Sequence, residues 1–189
     1  MSHKTIRWSG LCLFAAALLL IASRGFDVIA GQWTAFQTGQ LVGALLLLFG
    51  LVGWYSRQSN NVGLMGLIGF ALAFIGTAVF VGFMIVAALV MPAGSAPTLT
   101  NPAGQFYVNP TAAVFLLYAG IQILGFILLS AATMRAKVPS RWAALLVLIG
   151  IAPTALSPVM PTVIDWIGRV LFSVGIGWLG WAMFAETDN

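Results

Sequence analysis

The stretch that decides the fold is residues 38–91, TGQLVGALLLLFGLVGWYSRQSNNVGLMGLIGFALAFIGTAVFVGFMIVAALVM, in which Arg57 is the one charged residue. A membrane-spanning helix needs about 20 mostly apolar residues, because each residue rises about 1.5 Å and the hydrocarbon core is about 30 Å thick. The runs on either side of Arg57, at 38–55 and 62–91, meet this need, and neither shows the period-two alternation of a barrel strand. We therefore predict two transmembrane helices here.

The rest of the chain is also strongly apolar and poor in charge. Its 189 residues are 61% hydrophobic and 6% charged, and the mean hydropathy is +1.04. An ordinary soluble domain has about 25% charged residues, so this chain lacks the polar groups to cover its surface in water. Four further uncharged runs predict spans at residues 8–23, 111–134, 142–156 and 162–185. The sequence thus predicts an all-α, polytopic transmembrane helical bundle of six spans, forming a single domain over residues 1–189.

Two of these spans and one connection are irregular. The span at 62–91 is long enough that it must tilt or protrude. The span at 142–156 is short and contains Pro153, which kinks or ends a helix, so it is either a bent crossing or a partial one. The connection at 92–110 contains four of the eight prolines and no charge, and we predict an irregular outer loop there.

The basic residues predict the orientation, because short cytoplasmic loops collect Lys and Arg. With six spans, one side of the membrane holds six of them and the other side holds only Arg24 and Arg169; the six are Lys4, Arg7, Arg57, Arg135, Lys137 and Arg141. Both termini are therefore expected in the cytoplasm, with the bundle in the cell inner membrane. All seven tryptophans fall near span ends, as in an aromatic belt. The basic residues anchor loops, so the expected partners are membrane lipids and not nucleic acid.

Four ionisable residues lie at the predicted outer end: Arg24, Asp27, Asp165 and Arg169. Asp165 and Arg169 are four residues apart in one helix, with the acid first, which is the favourable order for an ion pair. A functional interpretation is an outer binding site for a polar or zwitterionic ligand. A structural interpretation is two local pairs, or one pair across the bundle between Arg24 and Asp165.

Near mid-membrane, Tyr118 and Gln122 are four residues apart and share a face of the fourth predicted span. A glutamine in hydrocarbon needs a hydrogen-bonding partner, so this face should point into the bundle. It either fastens helices together or lines a small cavity. The sequence contains a single histidine, His3, and a single cysteine, Cys12, and it predicts no catalytic residues, no metal site and no cofactor.

Glycines recur at helical spacing, as at Gly39, Gly43 and Gly50, and again along Gly63, Gly66, Gly69, Ala73 and Gly76. Helices in lipid associate through close approach of small residues. These faces therefore predict helix–helix contacts, either inside the bundle or with other membrane subunits or a second copy of the chain.

Two segments, GLVGWYSRQSNNVGLMGLIGFALAFIGTA (Gly50–Ala78) and MRAKVPSRWAALLVLIGIAP (Met134–Pro153), resemble those of small, uncharacterised multi-pass membrane proteins of bacteria. The resemblance covers about a quarter of the chain and implies a bacterial inner-membrane location, with no activity attached. The sequence does not follow the pattern of the tryptophan-rich sensory proteins, since neither its span count nor the positions of its tryptophans agree with that family.

These observations favour a non-enzymatic accessory or structural protein, or a subunit of a membrane complex. The alternative is a small transporter or a membrane protein that binds a lipophilic small ligand, for which the outer charges, the Tyr118 and Gln122 face and the kink at Pro153 are the reasons. An intramembrane enzyme acting on lipid or quinone would need Asp27 or Asp165 as its acid–base group.

Overall fold

The computed structural model describes residues 3–30, 33–90, 110–136, 141–155 and 162–185. Within these ranges the chain forms five helices and no strands; they are α1 (His3–Ala30), α2 (Trp33–Val90), α3 (Pro110–Arg135), α4 (Arg141–Ala155) and α5 (Thr162–Ala185). The predicted all-α fold is confirmed. The predicted outer loop at 92–110 lies outside the described residues except for its last position.

Four helical stretches are long and apolar enough to cross a membrane: Lys4–Ser23, Phe36–Val86, Leu117–Arg135 and Val163–Ala185. The apolar stretch of α4, Arg141–Pro153, is shorter. These features are those of a helical, multi-pass membrane protein. The stretch Phe36–Val86 has 51 residues and would be about 76 Å long if it were straight, more than twice the hydrocarbon thickness.

α2 is not straight, because Gly63 interrupts it with φ 57° and ψ −159°. We call residues 33–62 its N-arm and residues 64–90 its C-arm. The rings of Tyr55 and Phe70 stack with centroids 4.7 Å apart across this break, although residues at that separation in a straight helix lie about 22 Å apart. The two arms therefore fold back on each other at Gly63. The prediction that Gly63 lines a helix face with Gly66 is wrong, because Gly63 is the turning point, and helix replaces the loop expected around Arg57.

The arms pack against different partners. The N-arm runs antiparallel to α1, since β-carbons placed at Gly39 and Gly50 would meet Ser23 and Leu13. The C-arm runs antiparallel to α3, since β-carbons at Gly69 and Gly76 would meet Leu129 and Gln122; each of these glycines thus lies at a contact within the chain.

α5 packs against both α4 and α1. It packs antiparallel to α4, where Gly150 meets Phe172, and antiparallel to α1, where a β-carbon at Gly10 would lie 2.7 Å from the carbonyl oxygen of Gly180. The Arg7 guanidinium lies 5.0 Å from the centroid of the Phe184 ring. The first and last described residues therefore lie at one end of the bundle, which we call the inner end; the opposite end is the outer end.

The bundle is packed inside and apolar outside. Phe126 is fully buried and meets Phe172 edge-on, with centroids 5.1 Å apart. Large apolar side chains point outward from every helix, including Phe49, Leu117 and Val163 at 65–69% exposure. An exterior of this kind suits hydrocarbon and would be unfavourable in water.

The described tryptophan side chains differ in exposure. Trp8, Trp142, Trp178 and Trp181 are at least half exposed, as an interfacial belt requires. Trp54 is only 2% exposed and belongs to the hydrophobic core. Trp54, which the sequence places near a span end, thus lies on the face of the N-arm that is covered by neighbouring helices.

Candidate functional site

The predicted outer-end ion pair forms within α5. Nε of Arg169 donates to Oδ2 of Asp165 over 2.8 Å, with the two side chains 34% and 19% exposed. The spacing of four residues brings both side chains to one face of the helix. Oδ1 of Asp165 is buried and has no hydrogen-bond partner among the described residues. The pair reduces the cost of placing two charges close to lipid.

Beside this pair lies a groove between α1 and α5, which we call the outer groove. It is lined by Leu20, Ile21, Trp166, Arg169, Val170 and Ser173. Its empty volume is about 230 Å³, part of which is open to the surroundings, and it has room for no more than about one water-sized group. The indole Nε1 of Trp166 is buried, with no partner among the described residues. The groove thus joins an apolar wall to a cation.

Tyr118 packs α3 against the C-arm. It is 5% exposed, and its ring packs against those of Phe80 and Phe83, with centroids 6.2 and 6.3 Å away. The contacts of Tyr118 are thus with the C-arm, whereas Asp165 and Arg169 bond to each other within α5.

Gln122 fastens α3 to the C-arm. Its Nε2 donates to Oγ1 of Thr77 over 3.0 Å, and that hydroxyl donates in turn to the carbonyl oxygen of Ala73 over 2.7 Å. Thr77 is fully buried. Of the two interpretations of the Tyr118 and Gln122 face, the contacts correspond to helix fastening.

The remaining outer charges, Arg24 and Asp27, lie on the last two turns of α1. Their side chains lie outside the described residues, so the proposed pair between Arg24 and Asp165 stays a prediction. Asp165 itself bonds to Arg169, its neighbour one turn along the same helix.

Two further glutamine contacts were not anticipated from the sequence. Nε2 of Gln58 in the N-arm donates to Oγ1 of Thr133 in α3 over 2.8 Å, and both residues are at most 2% exposed. Nε2 of Gln40 donates to Oγ of Ser23 in α1 over 2.8 Å. For Gln40 the available signal was a glutamine within an otherwise apolar run, the same feature that singled out Gln122. Gln58 lies in the polar stretch 56–61, where a glutamine is not distinctive.

The described residues contain no group of three or more His, Cys, Asp or Glu side chains able to hold a metal ion. Comparison with protein-family models, with curated proteins and with solved structures finds no match. The interpretation of the site therefore depends on its geometry.

Proposed function

We propose that this chain is a six-span protein of the cell inner membrane with both termini in the cytoplasm, and that it acts as a non-enzymatic accessory or structural subunit of a membrane complex. Six crossings are supported by the bend at Gly63, which divides a stretch too long for one crossing into two arms of sufficient length. α4 would supply the fifth, short crossing. A cytoplasmic location of the inner end is supported by the cations there.

Cysteine labelling tests the crossing number. In a chain with Cys12 changed to Ala, the substitution Asn60→Cys places a thiol at an exposed position beside the bend. We expect a membrane-impermeant maleimide to label it from the cytoplasmic side only, because the thiolate that reacts forms in water. Residue 60 would lie near the middle of the hydrocarbon if Phe36–Val86 were a single crossing, and it would then resist labelling.

The matched control is Phe49→Cys. Phe49 is 66% exposed on the same arm but lies near its middle, so we expect no labelling from either side. Labelling of residue 60 from the periplasmic side would contradict the proposed orientation, and equal resistance of both thiols would contradict six crossings.

The structural role is supported by one observation above the others. Three glutamines, Gln40, Gln58 and Gln122, each donate to a hydroxyl on a neighbouring helix. The hydrogen-bonding capacity of these amides therefore holds the bundle together, where a transporter would direct such groups toward a substrate path.

A partner within the membrane is supported by two glycines that make no close helix contact within the described residues. Gly82 in the C-arm and Gly120 in α3 are exposed, and a β-carbon on either would meet nothing within 4 Å. Glycine lowers helix stability by about 0.5–1 kcal/mol relative to alanine, so a glycine that makes no close contact destabilises its helix without a compensating gain. Close approach of a helix from another membrane subunit would account for it.

Leucine substitutions at these glycines test the partner. Gly82→Leu and Gly120→Leu should leave the fold intact and should reduce the crosslinked complex about tenfold, the effect of losing about 1.4 kcal/mol of helix packing. The readout is in-membrane crosslinking followed by gel electrophoresis. The control is Ile75→Leu, a change at a residue that is 51% exposed on the C-arm. A chain that remains solitary in every variant, wild type included, would contradict the proposal.

The alternative role, binding of a lipophilic small ligand or its transport, is favoured by the outer groove and by Pro153 inside α4. A transport role would require the groove to extend toward the inner end, where Gln58 and Thr133 are in hydrogen-bonding contact.

A further inference from the structure

The outer groove is lined by both apolar and polar groups. Leu20 and Ile21 of α1 and Val170 of α5 supply apolar surface. Arg169 and Ser173 of α5 line the same space. A ligand that fills the groove must therefore have an apolar part and a hydrogen-bond acceptor within a short distance of each other.

Among the described residues, Arg169 makes one hydrogen bond, from Nε to Asp165. A guanidinium carries five N–H donors, so its terminal nitrogens are the groups that would meet such an acceptor. The planar fork of these nitrogens matches the oxygens of a phosphate group. The space in the groove that a water-sized group can occupy holds about one such group, which is the size of a single phosphate oxygen.

We propose that the outer groove binds one membrane phospholipid, with a phosphate oxygen beside Arg169 and an acyl chain along Leu20, Ile21 and Val170. Asp165 balances the charge of Arg169, so the pair favours a zwitterionic headgroup over an anionic one. This inference rests on the membrane location proposed above, because the open side of the groove must face lipid. It adds a ligand of defined chemistry to a chain whose proposed role is structural.

The test is phospholipid retention after purification of the full chain from membranes in a mild detergent. Native mass spectrometry and a phosphorus assay should find about one phospholipid per chain. Arg169→Gln should retain about tenfold less, the effect of losing hydrogen bonds to a charged group. Asp165→Asn keeps the guanidinium and removes the competing carboxylate, so it should retain at least as much phospholipid as the wild type.

The double change Asp165→Asn with Arg169→Gln is the control for misfolding as a cause of lost phospholipid, because it leaves two neutral groups that can still hydrogen-bond to each other. It should lose the phospholipid as Arg169→Gln does. Val170→Trp, which fills the groove, should also lose it. Leu18→Trp is the matched control, since Leu18 is 56% exposed on α1 and does not line the groove; retention there should equal that of the wild type.

Three results would overturn the inference. A folded wild type without bound phospholipid would do so, as would Asp165→Asn losing it as fully as Arg169→Gln, since the pair would then act only through structure. Displacement by millimolar inorganic phosphate would show a site for a free anion. Release of the chain from membranes by alkaline carbonate would instead contradict the proposed function, so the two failures are distinguishable.

Discussion

Replacing Gly125 with alanine is expected to lower the free energy of unfolding by about 3 kcal/mol, as overpacking does in a filled core. A β-carbon on Gly125 would clash with the backbone nitrogen of Ala73 in the C-arm. Neither side of this contact is a flexible side chain, so α3 and the C-arm must move apart. Their separation would weaken the nearby bond from Gln122 to Thr77 as well. Titration with SDS from mixed micelles, followed by far-UV circular dichroism, measures the loss.

The matched control is Gly120→Ala, one and a half turns earlier on α3. A β-carbon there meets nothing within 4 Å, so the same chemical change should stabilise the helix by about 0.5–1 kcal/mol or leave it unchanged. The two variants share a residue type, a helix and a substituent, and they differ only in what lies opposite. Equal unfolding midpoints for both would show that the C-arm and α3 do not pack as described.

The small-residue contacts were predictable because they follow from local spacing. Gly39, Gly43 and Gly50 recur on one face of the N-arm, and the structure places all three against α1. The ion pair of Asp165 and Arg169 was predictable for the same reason, since residues four apart on a helix are neighbours whatever the tertiary structure.

The bend in α2 was not predictable in this way. The sequence around Arg57 is polar enough to indicate a boundary between spans, and a boundary was predicted there, but the polar residues continue the helix and the turn comes at Gly63. Residue type alone does not distinguish a glycine chosen for close packing, such as Gly66, from one chosen for its backbone angles. The burial of Trp54 was not predictable for a related reason, because closeness to a span end does not say which face of the helix is covered.

The outer groove also could not be predicted from local sequence patterns. Its walls come from Leu20 and Ile21 near one end of the sequence and from Val170 near the other. Only the antiparallel packing of α1 on α5 brings them together. The sequence identified Arg169 as a charge that needed a partner; the apolar surface beside it follows from tertiary structure alone.

Gly63→Ala should destabilise the protein by about 2 kcal/mol, for a reason opposite to that at Gly125. A β-carbon on Gly63 meets nothing within 4 Å, so no neighbour is displaced. The cost is in the backbone, because φ 57° with ψ −159° is a region that glycine adopts almost alone, and a side chain there costs about 1–3 kcal/mol. SDS titration again measures it, and loss of quenching between labels placed on the two arms would report straightening of the bend.

Gly82→Ala is the control that separates backbone strain from loss of glycine as such. Gly82 lies in the same helix and is equally open, but it has helical backbone angles, so alanine should be neutral or slightly stabilising there. If Gly63→Ala behaved like Gly82→Ala, the helix could extend through residue 63 without penalty. The stacking of Tyr55 on Phe70 would then be one of several arrangements, and the division of residues 36–86 into two crossings would lose its main physical support. A clear difference between the two variants would mean that one residue's freedom at positive φ is what lets a long apolar helix turn back into the membrane.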